Sequence, residues 1–90
     1  MKTSRLEELR QQIDRLDERL VEMLAHRFRL TDEIGRLKKE LGLPPIDEAR
    51  EQAQRLAVQR VAKRHGLREE TAMKVMRVVI DEVVTNHGTI

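Results

Sequence analysis

Residues 6–41 read LEELRQQIDRLDERLVEMLAHRFRLTDEIGRLKKEL. Apolar side chains recur at Leu6, Leu9, Ile13, Leu16, Leu20 and Met23, then at Leu30, Ile34, Leu37 and Leu41. The gaps alternate between three and four, a heptad seam that specifies one long helix with an apolar stripe down its length. Ser4 is placed as its N-cap, with Glu7 three residues on completing a capping box. Gly42 followed by Pro44-Pro45 stops it. About 36 residues at 1.5 Å rise make a rod about 54 Å long, and its seam lies bare unless something runs along it.

Beyond that rod the chain reads as helix twice more. Asp47 is the expected N-cap of a second helix whose apolar face is Ala49, Ala53, Leu56, Ala57 and Val61, and Gly66 ends it. A third helix starts near Arg68 and carries Ala72, Met76, Val79, Ile80 and Val83, with Gly88 at its C-terminal cap. The two shorter helices, each about 18–20 residues, together match the first in length. The fold class is therefore all-α, one long and two shorter helices in a single domain over residues 1–90. A monomeric three-helix bundle would prefer helices of equal length. One long and two short suit two chains exchanging coverage, so a dimer is expected.

Composition narrows the function. With 38% charged residues and one aromatic, Phe28, this is a long-helix composition. The 18 basic and 16 acidic residues are interleaved and leave a net charge of +2, not the concentrated basic face of a nucleic-acid binder. No cysteine is present, so no disulfide framework or thiol chemistry is expected. No apolar run approaches the roughly 20 residues that span a bilayer, and Met1-Lys2-Thr3-Ser4-Arg5 lacks the apolar stretch of a signal peptide. The chain reads as cytoplasmic.

One seam position is not apolar. Between Met23 and Leu30 the heptad places Arg27. A guanidinium keeps its charge, and burying it alone costs several kcal/mol by the usual estimates, so an acidic partner or an anionic ligand must meet it. Lys38 follows three turns later on nearly the same face, and Arg10 lies near the seam at the other end. Arg50 and Glu51 open the second helix near its positive end, with Asp47 one turn before. Forked Arg grips carboxylates, Lys supplies a point donor and acids accept from a hydroxyl, which together suit a hydroxylated dicarboxylic acid. Ser4 is the only serine; His26, His65 and His87 lack metal-ligand spacing to one another; no glycine-rich phosphate loop exists. An enzyme of this kind would work without nucleophile, metal or cofactor, by positioning and electrostatic stabilisation.

Leu9-Arg10-Gln11-Gln12-Ile13-Asp14-Arg15-Leu16-Asp17, then Arg27, Ile34-Gly35-Arg36-Leu37-Lys38, Pro45, Asp47 and Arg50-Glu51 resemble the all-helical chorismate mutases of bacteria, from about Leu6 to His87. The resemblance implies an intertwined homodimer of three-helix chains with sites built across the subunits. It implies the Claisen rearrangement of chorismate to prephenate, on the route to phenylalanine and tyrosine. Arg27 and the partner's Arg10 would bind the two substrate carboxylates, Lys38 would donate to the ether oxygen, and Glu51 would accept from the ring hydroxyl. Asp47 would lie nearby and Arg50 would frame the site. Two positions depart from the family pattern. Val83 stands where a small hydroxyl residue is usual, and His87 where a glutamine donates to the ether oxygen.

Three other readings stay open: isochorismate pyruvate lyase, an amino-chorismate mutase, and a non-catalytic helical module for dimerisation or nucleic-acid binding. Glu51 favours plain chorismate over the first two. Arg36-Leu37-Lys38-Lys39 and the cluster of Arg60, Lys63 and Arg64 motivate the third, though both read as solvated faces.

Overall fold

A computed structural model describes Lys2–Ile90, and the described residues form three α-helices and no strand. These are α1 (Lys2–Leu41), α2 (Glu48–Arg64) and α3 (Glu69–His87). The chain divides into two compact units, Met1–Leu30 and Thr31–Ile90. Among the described residues no helix is long and apolar enough to cross a membrane.

The breaks fall where glycine permits them. Gly42, at φ 65°, closes α1 in a Schellman turn, with Leu43 N–H donating to Lys38 O at 2.9 Å and Gly42 N–H to Lys39 O at 3.3 Å. Gly66, at φ 71°, repeats the device after α2, where Leu67 N–H reaches Ala62 O at 2.9 Å. Asp47 caps α2 as expected, its extended backbone letting Oδ1 accept from Arg50 N–H at 3.0 Å.

Two expectations need correction. Ser4 does not cap α1, which begins at Lys2. The capping box fails because Glu7 turns forward instead of back, accepting from Arg10 at 3.3 Å, while Arg5 reaches Glu8 at 3.2 Å. Such i,i+3 pairs are each worth a few tenths of a kcal/mol. The second correction concerns α2. Ala49, Ala53, Leu56, Ala57 and Val61 are exposed, and Ala62 is the residue buried. The packed stripe is Glu51, Gln54, Val58 and Ala62, about one residue, or 100°, around the helix. Both sides of α2 carry small apolar residues, so periodicity alone did not choose between them.

Within Thr31–Ile90, α2 packs on α3. Ala62, Ala72, Val79 and Val83 form the core, and α3 presents the face expected of it. An open apolar groove of about 490 Å³ runs alongside the α2–α3 contact, lined by Ala57, Val61, Ala62, Leu67, Val75 and Met76 among others. Every apolar seam residue of α1 from Leu6 to Leu41 is exposed in the single chain, from Ile34 at 38% to Leu41 at 67%.

Candidate functional site

The Schellman turn at Gly42 folds the chain back so that the Pro45 carbonyl faces the last turn of α1. Lys38 sits there, half-buried, and its Nζ donates to Pro45 O at 3.1 Å. The same Nζ donates to the carbonyl of Thr89, which follows α3. Pro45 O also accepts from Thr89 N–H at 2.6 Å, so one carbonyl ties the α1–α2 connection to the tail.

The cap at Asp47 fixes the first turn of α2, and the next residues inward are Arg50 and Glu51. Glu51 N–H bonds to Asp47 O at 3.1 Å, which sets its side chain on the packed stripe of the helix. There Glu51 Oε1 accepts from Thr89 Oγ1–H at 3.0 Å. Arg50 Nε–H donates to Ile90 O at 3.2 Å. Glu48 and Glu51 also lie in the first turn of α2, where the helix dipole favours carboxylates.

The tail reaches this position through Gly88, at φ 80° and ψ −159°, a region essentially reserved for glycine. A Cβ there would collide with the Pro45 carbonyl. Thr89 is consequently 1% exposed. One residue earlier, His87 lays its ring over Gly35, where any side chain would strike the imidazole. Its Nε2 meets Asp32 Oδ1 at 2.7 Å, with the His87 side chain 21% exposed and that of Asp32 55%. A cavity of about 410 Å³ beside this contact is lined by Lys38, Pro45, Thr85 and His87 among others.

The structure therefore brings Lys38, Asp47, Arg50 and Glu51 to one end of the Thr31–Ile90 unit, and Lys38 and His87 line the same cavity. Val83 is 4% exposed, part of the core, and offers no hydrogen bond. Arg10 and Arg27 belong to the other unit. Arg10 is exposed and bonded to Glu7, and Arg27 is half-buried on its seam. Two cationic donors near a carboxylate acceptor can hold an oxygen-rich anion that carries a hydroxyl. Among the described residues no group of three or more His, Cys, Asp or Glu is placed to hold a metal ion.

Sequence reasoning missed Asp32 and Thr89, and named Gly35 only within the family motif. A glycine inside a helix costs about 1 kcal/mol relative to alanine and so signals a close approach, and Gly35 was such a signal. Asp32 is 55 residues from its partner His87, and Thr89 is 51 residues from Lys38 and 38 from Glu51. Neither leaves a periodic trace.

A family model described as chorismate mutase type II matches residues 9–87. A chorismate mutase of Methanocaldococcus jannaschii is 27% identical over 77 residues, covering 86% of this chain and 78% of that protein. Similarity extends to the T-proteins of Haemophilus influenzae, 34% identical over 83 residues, and of Enterobacter agglomerans, 32% identical over 80 residues. Those two matches cover 92% and 89% of this chain, but it spans only 22% and 21% of the T-proteins. No solved structure matches the chain.

Proposed function

We infer from one premise, that the chain belongs to the type II chorismate mutase family, that it converts chorismate to prephenate. The observation that carries the reading is a family match across 9–87 in a chain that gathers Lys38, Arg50 and Glu51 at one place. The reaction is an intramolecular rearrangement. The ether carbon–oxygen bond breaks as a carbon–carbon bond forms, six electrons shift around a ring, and no proton or external group is exchanged. The protein is left two tasks: to fold the flexible enolpyruvyl arm over the ring, and to meet the negative charge that grows on the ether oxygen.

Arg27 and Arg10 of the partner subunit grip the two carboxylates and impose the folded pose. Lys38 donates to the ether oxygen, an interaction stronger in the transition state than in the ground state and therefore expressed in kcat. Glu51 accepts from the ring hydroxyl, with Asp47 beside it, and Arg50 frames the anionic side. Val83 contributes shape without a hydrogen bond. His87 is the second donor, and it reaches the ether oxygen by giving up Asp32. The residues act as one domain in an intertwined homodimer, whose second copy covers the exposed α1 seam and supplies Arg10.

The test is the loss of chorismate absorbance, with wild type compared against Arg27→Ala and Lys38→Ala. Lys38→Ala is expected to lower kcat about a hundredfold to a thousandfold, the usual range for removing one transition-state donor. Arg27→Ala should raise KM strongly as well. Wild-type rates in both variants, with helicity unchanged, would contradict the assignment.

A further inference from the structure

Lys38 and Glu51 stand on different helices, and the group that joins them is neither substrate nor a facing side chain of those helices. Thr89 accepts from Lys38 Nζ with its carbonyl and donates to Glu51 Oε1 with its hydroxyl at 3.0 Å. Its amide is tied to Pro45 O at 2.6 Å, and the residue is 1% exposed. Every polar group Thr89 possesses is thus engaged by the site or its floor.

We propose that Thr89 is a positioning residue for the rearrangement, holding the Lys38 ammonium and the Glu51 carboxylate at a fixed separation; this rests on the catalytic reading above. The valences support it. An ammonium has three donors: Pro45 O and Thr89 O take two, and one remains for the ether oxygen. Glu51 gives Oε1 to Thr89 and keeps Oε2 for the ring hydroxyl. The tail leaves one donor and one acceptor, each with its direction set by the bonds already made. A lysine on a four-carbon stem and a glutamate with three rotatable bonds would otherwise lose that freedom only on meeting substrate. Gly88 makes the arrangement possible, since its backbone conformation alone lets Thr89 turn inward past Pro45.

The side chain and the carbonyl have separable effects. The ring hydroxyl does not change during the reaction, so loosening Glu51 weakens ground and transition states alike and appears in KM. The ether oxygen does change, so loosening Lys38 appears in kcat. Steady-state kinetics of the full chain with chorismate should therefore show KM raised about tenfold in Thr89→Val, with kcat within about twofold of wild type. Thr89→Ser, which keeps the hydroxyl, should restore KM. Gly88→Ala, which displaces the carbonyl as well, should lower kcat.

Wild-type constants in Thr89→Val, a loss that serine does not restore, or a rise of kcat/KM in either Thr89→Val or Gly88→Ala would overturn the proposal; the last result would make the tail an obstruction. Amide hydrogen exchange on the unmodified chain gives a reading that needs no variant. The Thr89 amide should stay protected at saturating prephenate, and loss of protection would likewise overturn it. A wild-type chain without turnover would instead sink the catalytic reading, before any variant is compared.

Discussion

Met1–Leu30 and Thr31–Ile90 dispose of their apolar side chains in opposite ways. In the first unit Leu6, Leu9, Ile13, Leu16, Leu20 and Met23 all face outward, and two salt bridges, Arg5 with Glu8 and Arg10 with Glu7, run along its own surface. In the second, Ala62, Ala72, Val79 and Val83 are covered, and Lys38, Arg50 and Glu51 all have partners within the unit. The second unit holds a core and a set of oriented polar groups. Among its described residues the first has a stripe and no buried core. Helices in proteins owe little to propensity and most of their stability to packing of an apolar face, so the exposed stripe of the first unit calls for a covering surface. In the proposed homodimer a second copy would supply it, and with it Arg10.

Charging the stripe breaks this contrast most severely. Leu16→Glu places a carboxylate in the seam that the proposed homodimer buries, at a cost of several kcal/mol, more than about a hundredfold in association. Sedimentation should show the dimer lost, helicity should fall, and turnover should disappear with them. A Leu16→Glu protein that stayed dimeric and active would show that the seam is not the interface. Lys38→Ala sharpens the contrast from the other side, because it removes turnover and should leave association and helicity in place.

Smaller, but more diagnostic, is mixing. Arg10→Ala and Lys38→Ala homodimers should each be nearly inactive. If each site takes Arg10 from one chain and Lys38 from the other, a mixed dimer concentrates both lesions in one site and leaves its twin intact. Random reassortment of equal amounts would then restore about a quarter of wild-type activity, as the symmetry of a twofold dimer requires. Activity no higher than that of the parent proteins would place both residues in a site made by one chain.

The same contrast explains what the sequence disclosed and what it withheld. The three helices were legible because a heptad seam and the glycine and proline breaks at Gly42, Pro44-Pro45 and Gly66 are local signals. The cap at Asp47 was legible for the same reason. The buried face of α2 was not, since small residues on both sides leave the choice to α3. Lys38, Arg50 and Glu51 were legible as residue types in a specific spacing. Their mutual orientation was not, because for Lys38 and Arg50 it runs through carbonyls of Pro45, Thr89 and Ile90 that any residue could have presented, and for Glu51 through the Thr89 hydroxyl 38 residues away. The Asp32–His87 contact joins positions 55 apart and exists only once α3 has packed.

The smallest expected effect separates two roles that converge on one carboxylate. Asp47 caps α2 through Oδ1 and is also proposed to lie beside the ring hydroxyl of the substrate. Asp47→Ala removes both, and loss of an N-cap alone should cost about 1 kcal/mol, or about 4–8 °C in Tm for a domain of this size. Asp47→Ser keeps an oxygen able to accept from Arg50 N–H while withdrawing the charge. If Asp47 is only a cap, serine should restore both Tm and KM. If it also meets the substrate, serine should restore Tm and leave KM raised, because the hydroxyl that holds the helix end is a poorer acceptor than the carboxylate it replaces. Thermal unfolding and steady-state kinetics on the same two variants distinguish these outcomes, and a Tm unchanged in Asp47→Ala would remove the cap from the energetics of α2.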